Sequence, residues 1–368
     1  MKWEGHKINN MAKDRKLSLQ KLADKIGVSR QTVNDWIKGQ IPKGSHLLML
    51  SRILAVNPNE FFENDIDNYI LMPSHRKRKT AKVTEATQEA SIELAKEYLN
   101  IFKNHKNSEV VPVIRTRQRD LLNAQKVADK LRAMADISKD KPMDYGNTFR
   151  LIDVLGINAI FRSFPEALKS YAFYTKICEH RVVFVNYSTN ILDLIFPLLH
   201  ESVHAVMDEP SRNNEDEENF CDLVANFLQF PDSYVQMVYD AIKQSNNATK
   251  VNVLKSFASS NGHSLYGIVK AIKYIAPDFD LNIHGADSNL KKAFPTIQQL
   301  VFIDNEVRTF VYNLMSLNIN FFKVISNQID SISNRKLAEL FELESVLDAK
   351  DFKAELLKES SRLNEDSM

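Results

Sequence analysis

The sequence is short of cysteine and of long apolar runs, and each shortage removes a class of protein. Its 368 residues hold two cysteines, Cys178 and Cys221. Two thiols so far apart in a chain of this size do not make the disulfide framework of a small secreted domain; they read as reduced core residues. No stretch approaches eighteen consecutive apolar residues, so no membrane span is predicted. The opening "MKWEGHKINNMAKDRK" is polar and has no apolar segment with a cleavage site, which argues against a secretory leader and for a cytoplasmic chain. Internal repeats and low-complexity tracts are missing as well. What remains is an ordinary globular composition, 44% hydrophobic and 26% charged, with length for two or three domains.

A large charge of one sign is absent overall, since the formal net charge is +1, but the balance is uneven along the chain. Residues 1–80 carry 15 Lys/Arg against 8 Asp/Glu, a net of +7, and the remaining 288 residues are near −6. A basic head on an acidic body points to a polyanionic partner for the head alone.

The head reads as short helices: "INNMAKDRK", then Ser18 capping "LQKLADKIG", Ser29 capping "RQTVNDWIKG", and Ser45 before "HLLMLSRILA". Gly27 stops the second helix and Val28-Ser29 launches the third at a steep angle, the sequence form of a helix-turn-helix. Ala23, Ile26, Val33, Trp36 and Ile37 fall on inward faces. Arg30, Gln31 and Asn34 then lead the third helix, where Arg forks onto guanine and Gln or Asn onto adenine, while Gln20, Ser29, Thr32 and Lys38 are placed for the surrounding DNA contacts. A small helical docking or dimerisation bundle is the alternative, and the +7 charge argues against it. Further on, "HRKRKTAK" at residues 75–82 is a basic linker or a phosphate contact, and a helix is predicted from Thr84 to about His105.

From about residue 108 the pattern becomes mixed. "LLNAQKVADKLRAMAD" and "NTFRLIDVLG" are helical, "INAIFRSF" is a strand, and "SYAFYTKICEHRVVFVN" holds two β-rich runs around "CEHR". These lead into "FPLLHESVHAVMD", which contains His200-Glu201-Ser202-Val203-His204. On a helix His200 and His204 share a face and can reach one ion, and Glu201 points beside it toward a bound water. Neutral imidazole suits zinc, and a carboxylate held off the metal can take a proton from water that zinc acidifies. A helix that merely carries two histidines is the competing reading. A third ligand is offered by "NNEDEENFCDLVANFLQFP", where Glu218 lies one turn before Asp222, although Glu215 and Glu217 stand in the same acidic run. Cys221, one residue from Asp222, is read as a packed thiol rather than a fourth ligand. In the zincin arrangement that this pattern resembles, a strand placed like "RVVFVN" aligns an extended peptide by edge pairing, and the same is expected here. Tyr187, His263 and His284 are candidates, by residue type alone, for stabilising an oxyanion.

Two resemblances follow from these residues. "LSLQKLADKIGVSRQTVNDWIKGQ", with Ala23, Gly27, Val28, Ser29 and Trp36 at signature places, resembles the lambda-repressor-like XRE family over about 55 residues. "LRAMADISKDKPMDYGNTFRLIDVLGINAIF", "HRVVFVN", "LLHESVHAV" and "ENFCDLVANFLQFP" resemble the ImmA/IrrE metallopeptidases over about residues 120–235. The second resemblance implies a gluzincin that cleaves a repressor, with His200, His204 and Glu218 holding Zn2+, Glu201 as general base and Asp222 fixing the tautomer of a ligand histidine. Val203 stands where that family has Gly, and Pro197 sits three residues before His200, so an altered cleft or a weakly active site stays open.

The expected architecture is multi-domain and mainly α. It consists of a five-helix helix-turn-helix domain over 1–66, a basic linker and helix over 67–107, an α+β zincin-like domain with a small β-sheet over 108–235, and a helical C-terminal region over 236–368 of unassigned role. The expected function is a zinc metalloendopeptidase that binds double-stranded DNA and cuts a repressor or antitoxin, with a homodimer as one possible assembly. A regulator whose zincin-like domain senses without catalysis is the alternative, and an antitoxin is a third.

Overall fold

The structure, a computed structural model, describes residues 3–56, 58–62, 69–71, 73, 84–105, 112–116, 118–207, 215–301 and 306–365. It divides into two compact units, Met1–Tyr69 and Ile70–Met368. The basic run at 75–82 lies outside the described residues.

In the first unit the helices are α1 (His6–Asp14), α2 (Leu19–Ile26), α3 (Arg30–Ile37) and α4 (Gly44–Leu54). Ser18 and Ser29 cap α2 and α3 through their side chains, accepting from the backbone N–H of Lys21 and Thr32. Gly27 ends α2 at φ +80°, a left-handed turn that costs glycine little. One expectation is corrected here: the residue before α4 is Lys43, so Ser45 lies inside the first turn. After α4 the described residues show a 3-10 turn at Pro58–Phe61, and residues 63–66 at the end of the expected five-helix domain lie outside them. Leu22, Ala23, Val33, Leu50, Leu54 and Phe61 are buried in one core with Trp3 and Trp36, and Trp3 Nε1 donates to Trp36 O at 2.7 Å. Ile37 packs only at the margin of that core.

The second unit begins with Ile70 and continues through α5 (Glu85–Lys96) and α6 (Leu99–Lys103). The single helix expected from Thr84 to His105 is therefore two, with Thr84 capping the first. Next come α7 (Leu121–Met134) and α8 (Tyr145–Val154), then strands β1 (Ile157–Arg162), β2 (Ala172–Ile177) and β3 (His180–Asn186). The strand order is β1-β3-β2, with β1 parallel and β2 antiparallel to β3. Cys178 and Glu179, both at positive φ, form the two-residue turn between β2 and β3, so the polar "CEHR" is a hairpin.

After the sheet, α9 (Ile195–Met207) is buried on nearly every face, as expected of a helix that is apolar all round. Pro197 is its third residue, where no intrahelical bond is available to lose, so it marks the start of the helix and does not kink it. Helix α9 packs between β2 and α10 (Glu215–Gln229), and α10 rests in turn on α7. The buried Arg132 of α7 fastens this layer by donating to the carbonyls of Leu228, Ser138 and Lys141.

Residues beyond 236 fall in the same unit as the sheet. Helices α11 (Asp232–Ile242), α12 (Asn247–Asn261), α13 (Leu265–Ile275) and α14 (His284–Lys292) build a core around Val238, Leu254, Ile268 and Ile272. Then follow α15 (Ile297–Val301), α16 (Val307–Leu317), α17 (Ile319–Ser326), α18 (Asn334–Phe341) and α19 (Val346–Glu365). The start of α17 closes the outer edge of β1: Asn318 Oδ1 accepts from Ala159 N, its amide donates to Ala159 O, and Asn320 Nδ2 donates to Ile157 O at 3.2 Å. A side-chain amide thus stands in for a neighbouring strand on an edge that would otherwise be open. Among the described residues no helix is long and apolar enough to cross a membrane.

Candidate metal centre and DNA-reading helix

The helical spacing of His200 and His204 brings their Nε2 atoms to 3.2 Å. From the neighbouring helix Glu218 places Oε1 3.3 Å from His204 Nε2 and Oε2 3.4 Å from His200 Nε2. A tetrahedral ion with arms of about 2.0–2.1 Å has ligand-to-ligand edges of about 3.3 Å. The three side chains therefore already have the spacing of a metal triangle, and they form the group able to hold an ion among the described residues.

The distal ring nitrogens face carboxylates. His200 Nδ1 lies 3.0 Å from Asp222 Oδ1, at an angle short of a straight N–H···O bond, and His204 Nδ1 lies 3.6 Å from Glu217 Oε1. Carboxylates in that position fix which nitrogen carries the proton and leave Nε2 as the lone pair. Glu217, weighed from sequence as an alternative ligand, is placed behind the His204 ring, with Arg119 3.8 Å from its other oxygen. Glu215 is exposed at the helix start. Cys221 Sγ also sits on the Nδ1 side of His204, at 3.7 Å, away from the triangle. Val203 is fully buried in the same helix.

Burial works to lower the pKa of both imidazoles, but the facing acids outweigh it. Asp222 and Glu218 hold His200 above its ordinary value, and Cys221, Glu217 and Glu218 hold His204 well above it. Burial raises Glu218, yet its bonds to the two histidines dominate and bring it to about 2. The pocket is built to favour positive charge. Glu201 is 1% exposed, and burial lifts it to about 7. It accepts from the backbone N–H of Tyr174, while its Oε2 is buried without a hydrogen-bond partner. Glu218 Oε2 is likewise unpartnered, so two buried acceptor atoms have no hydrogen-bond donor among the described residues.

The strand bordering the site is not the one expected. β3 is paired on both sides and has no edge to offer a peptide. The edge belongs to β2, whose outward-facing groups are those of Ala172, Tyr174 and Lys176, the alternate residues of an antiparallel strand. At the Lys176 end the edge is taken: Leu71 N donates to Lys176 O at 2.9 Å, and Thr175 Oγ1 donates to Leu71 O at 2.6 Å. The stretch from Ala172 to Tyr174 lies beside Glu201. Sequence reasoning had no access to this, because the pairing depends on which strand the hairpin leaves outside.

None of the three residues proposed for an oxyanion is brought to the triangle. Tyr187 is buried against Phe161, and His263 is buried with its Nε2 2.6 Å from Met143 O. His284 is exposed at the start of α14, on the rim of a neighbouring cavity. Two residues missed from sequence border the triangle. Lys270 Nζ lies 3.3 Å from Asp222 Oδ2, and Asn226 follows Asp222 by one turn. No local signal marks Lys270, which is 48 positions from its partner.

On the first unit, Arg30, Gln31, Lys38, Ser29 and Gln20 are exposed on and around α3, and Thr32 and Asn34 are partly buried. Several are engaged internally. Ser29 Oγ is spent as the cap of α3 and lies 2.9 Å from Thr32 Oγ1. The Gln31 and Gln20 amides donate to Asp35 and Asp24, each at 2.9 Å, and must let go before they can read a base.

The helix-turn-helix family profile matches residues 9–61 of the chain. The N-terminal unit is thus a helix-turn-helix DNA-binding module of the kind that transcription regulators carry. The comparison with curated proteins gives no match. Among solved structures, the crystal structure of ComR from Streptococcus suis aligns over 99% of this chain and 96% of that one, at 10% identity. The TM-score is 0.16, and at that value the likeness carries no structural argument.

Proposed function

We propose that the chain is a DNA-binding zinc metalloendopeptidase, in which the helix-turn-helix brings the protein to an operator and the second unit hydrolyses a peptide bond in a partner such as a repressor or antitoxin. The observation that carries the reading is the triangle of His200, His204 and Glu218 beside the unpartnered Glu201 Oε2. The same residues carry the resemblance to the ImmA/IrrE metallopeptidases. Zinc held by the triangle would supply a Lewis acid that polarises a peptide carbonyl and acidifies water. Asp222 and Glu217 orient the two imidazoles from behind. Glu201, with its buried Oε2 left without a hydrogen-bond partner among the described residues, serves as proton acceptor there and passes the proton to the leaving amine. The outer side of β2 near Ala172, next to the strand residue that holds Glu201, is where a substrate strand would be aligned.

A second reading, a regulator whose second unit senses a metal or ligand without catalysis, draws support from burial. His200 is 0%, His204 3% and Glu218 9% exposed, whereas turnover requires substrate to reach the centre.

Metal analysis of the full-length protein beside His204→Ala tests the zinc site, with one zinc in the parent and a sharp loss in the variant as the expected result. Glu201→Gln should keep zinc and DNA affinity and abolish cleavage. Sequencing of protein N-termini from cells that express parent or variant reads that directly. A zinc-free parent, or the same N-termini in both cells, refutes the peptidase reading.

A further inference from the structure

A cavity of ≈ 300 Å³ opens beside the metal triangle, between α9, α10, α13 and α14. It adjoins the triangle through two residues. Phe196, one turn before His200, forms part of its wall, and Lys270 both lines it and contacts Asp222 behind His200. Tyr171, the residue before β2, also lines it, so a peptide bound beside the start of β2 would pass the cavity mouth.

The polar groups of the cavity are not evenly available. Its acids are already spoken for: Asp287 accepts from Tyr266 N–H at 3.3 Å and pairs with Lys291 at 2.7 Å, and Asp193 pairs with Lys291 at 2.9 Å. Its donors are not. The Lys270 ammonium has three N–H groups, one directed to Asp222 at 3.3 Å, and it rests over the Phe196 ring at 5.3 Å from the centroid. Asn226 is 3% exposed, lines the cavity, and its side-chain amide makes no hydrogen bond among the described residues. The amide is not sealed away from the cavity, so it can donate to a group that enters there. A cationic side chain entering here would meet two ammonium groups and acids already paired. A carboxylate would meet Lys270 and Asn226 while its carbon stem lies on Phe196 and Pro197.

We propose that this cavity is a carboxylate-binding subsite, in which Lys270 and Asn226 receive an acidic side chain or the free C-terminus of a bound peptide. The assignment deepens the peptidase reading and rests on it for the peptide's role. The site itself can be tested apart from zinc.

The test uses full-length protein with Glu201→Gln, so that bound peptide is not consumed, with and without added zinc. Fluorescein-labelled Ala-Ala-Xaa-Ala-Ala amides with Glu, Gln or Lys at the centre, and penta-alanine with a free or amidated C-terminus, are titrated by anisotropy. Hydrogen bonds to a charged group predict a tenfold or larger preference for the acidic member of a pair. The Glu/Gln pair reads a side-chain carboxylate and the free/amidated pair reads a C-terminus. Lys270→Met and Asn226→Ala should each remove the preference while leaving the Gln peptide unchanged. Asn226→Ala, which does not touch Asp222's partner, decides the matter if Lys270→Met fails to fold. Equal affinities, tighter binding of the Lys peptide, or no binding by any member overturns the assignment. Acid preference in a chain that takes up no zinc leaves the subsite standing and sinks the peptidase. Zinc uptake without acid preference does the reverse.

Discussion

Replacing Asp222 by Asn keeps the shape of a side chain and removes its charge, which makes it a direct test of how the metal triangle is supported. Asp222 lies between His200 Nδ1 at 3.0 Å and Lys270 Nζ at 3.3 Å. An amide can still turn an oxygen toward the ring, but it no longer makes the imidazole a stronger donor to a metal, and it loses Lys270. Partners of this kind are worth about 10–100-fold in metal affinity, or about 1.4–2.7 kcal/mol. When zinc is in excess that energy is missing from the metal-dependent part of stability. For a unit of about 300 residues, with an unfolding entropy of about 2.1 cal/mol/K per residue, it amounts to about 2–4 °C in Tm. Chelator competition gives the dissociation constant. Calorimetry with zinc and with EDTA gives the zinc-induced rise in Tm, and comparing rises cancels any change in the metal-free chain. A variant that binds zinc as tightly as the parent, with the same rise, would show that Asp222 does not support the site.

Further expectations concern other parts of the molecule. At Gly5 an added Cβ would fall 1.9 Å from Trp36 O and 2.8 Å from Trp3 Nε1, so Gly5→Ala should destabilise the first unit by about 1–3 kcal/mol or more. The two tryptophans of the chain, Trp3 and Trp36, both lie in that unit, so indole fluorescence in a urea titration reads it alone, and an unshifted midpoint would contradict the packing. His263 is buried, and burial lowers its pKa to about 4. Below pH 6.5 the unfolded chain takes up a proton that the folded chain refuses until about pH 4, so the stabilising contribution is complete above 6.5 and is lost as pH falls toward 4. The 2.5-unit gap corresponds to about 3 kcal/mol. In His263→Gln the stability lost between pH 7 and 4.5 should shrink by about 2–3 kcal/mol, and equal losses in both proteins would count against the assignment. For the DNA-reading helix, Arg30→Ala should weaken binding by about 1–3 kcal/mol and relax sequence preference at one position. Lys38→Ala should lower affinity for all sequences alike and reduce the salt slope by about 1. Selection of binding sites from a random pool separates the two, and unchanged preference in Arg30→Ala would remove that residue from base reading.

Legibility from sequence followed the range of the interactions. The caps at Ser18 and Ser29 and the stop at Gly27 were readable because each is settled by backbone groups within four residues. The approach of His200 to His204 was readable for the same reason, since helical rise alone sets it. Ser45 was misplaced by two residues because the chain before α4 enters through Lys43, whose side chain makes no capping bond. The break near Tyr98 was not visible because that residue is held from afar, its hydroxyl donating to Leu340 O at 2.8 Å.

By itself, the amino-acid order determined the helix-turn-helix, the two histidines one turn apart on a buried helix, and the acidic start of the next helix. Helical period and local hydrogen bonding suffice for each of these. Tertiary packing decided which acid of the run 215–218 meets both rings and which stands behind one of them. It decided that β3 lies inside the sheet and β2 at its edge, that Asn318 closes the other edge, and that Lys270 and Asn226 share a cavity beside the metal triangle. Those outcomes depend on how α9 lies between the sheet and α10, and the orientation of two packed elements is set by all the side chains between them rather than by any short stretch of either.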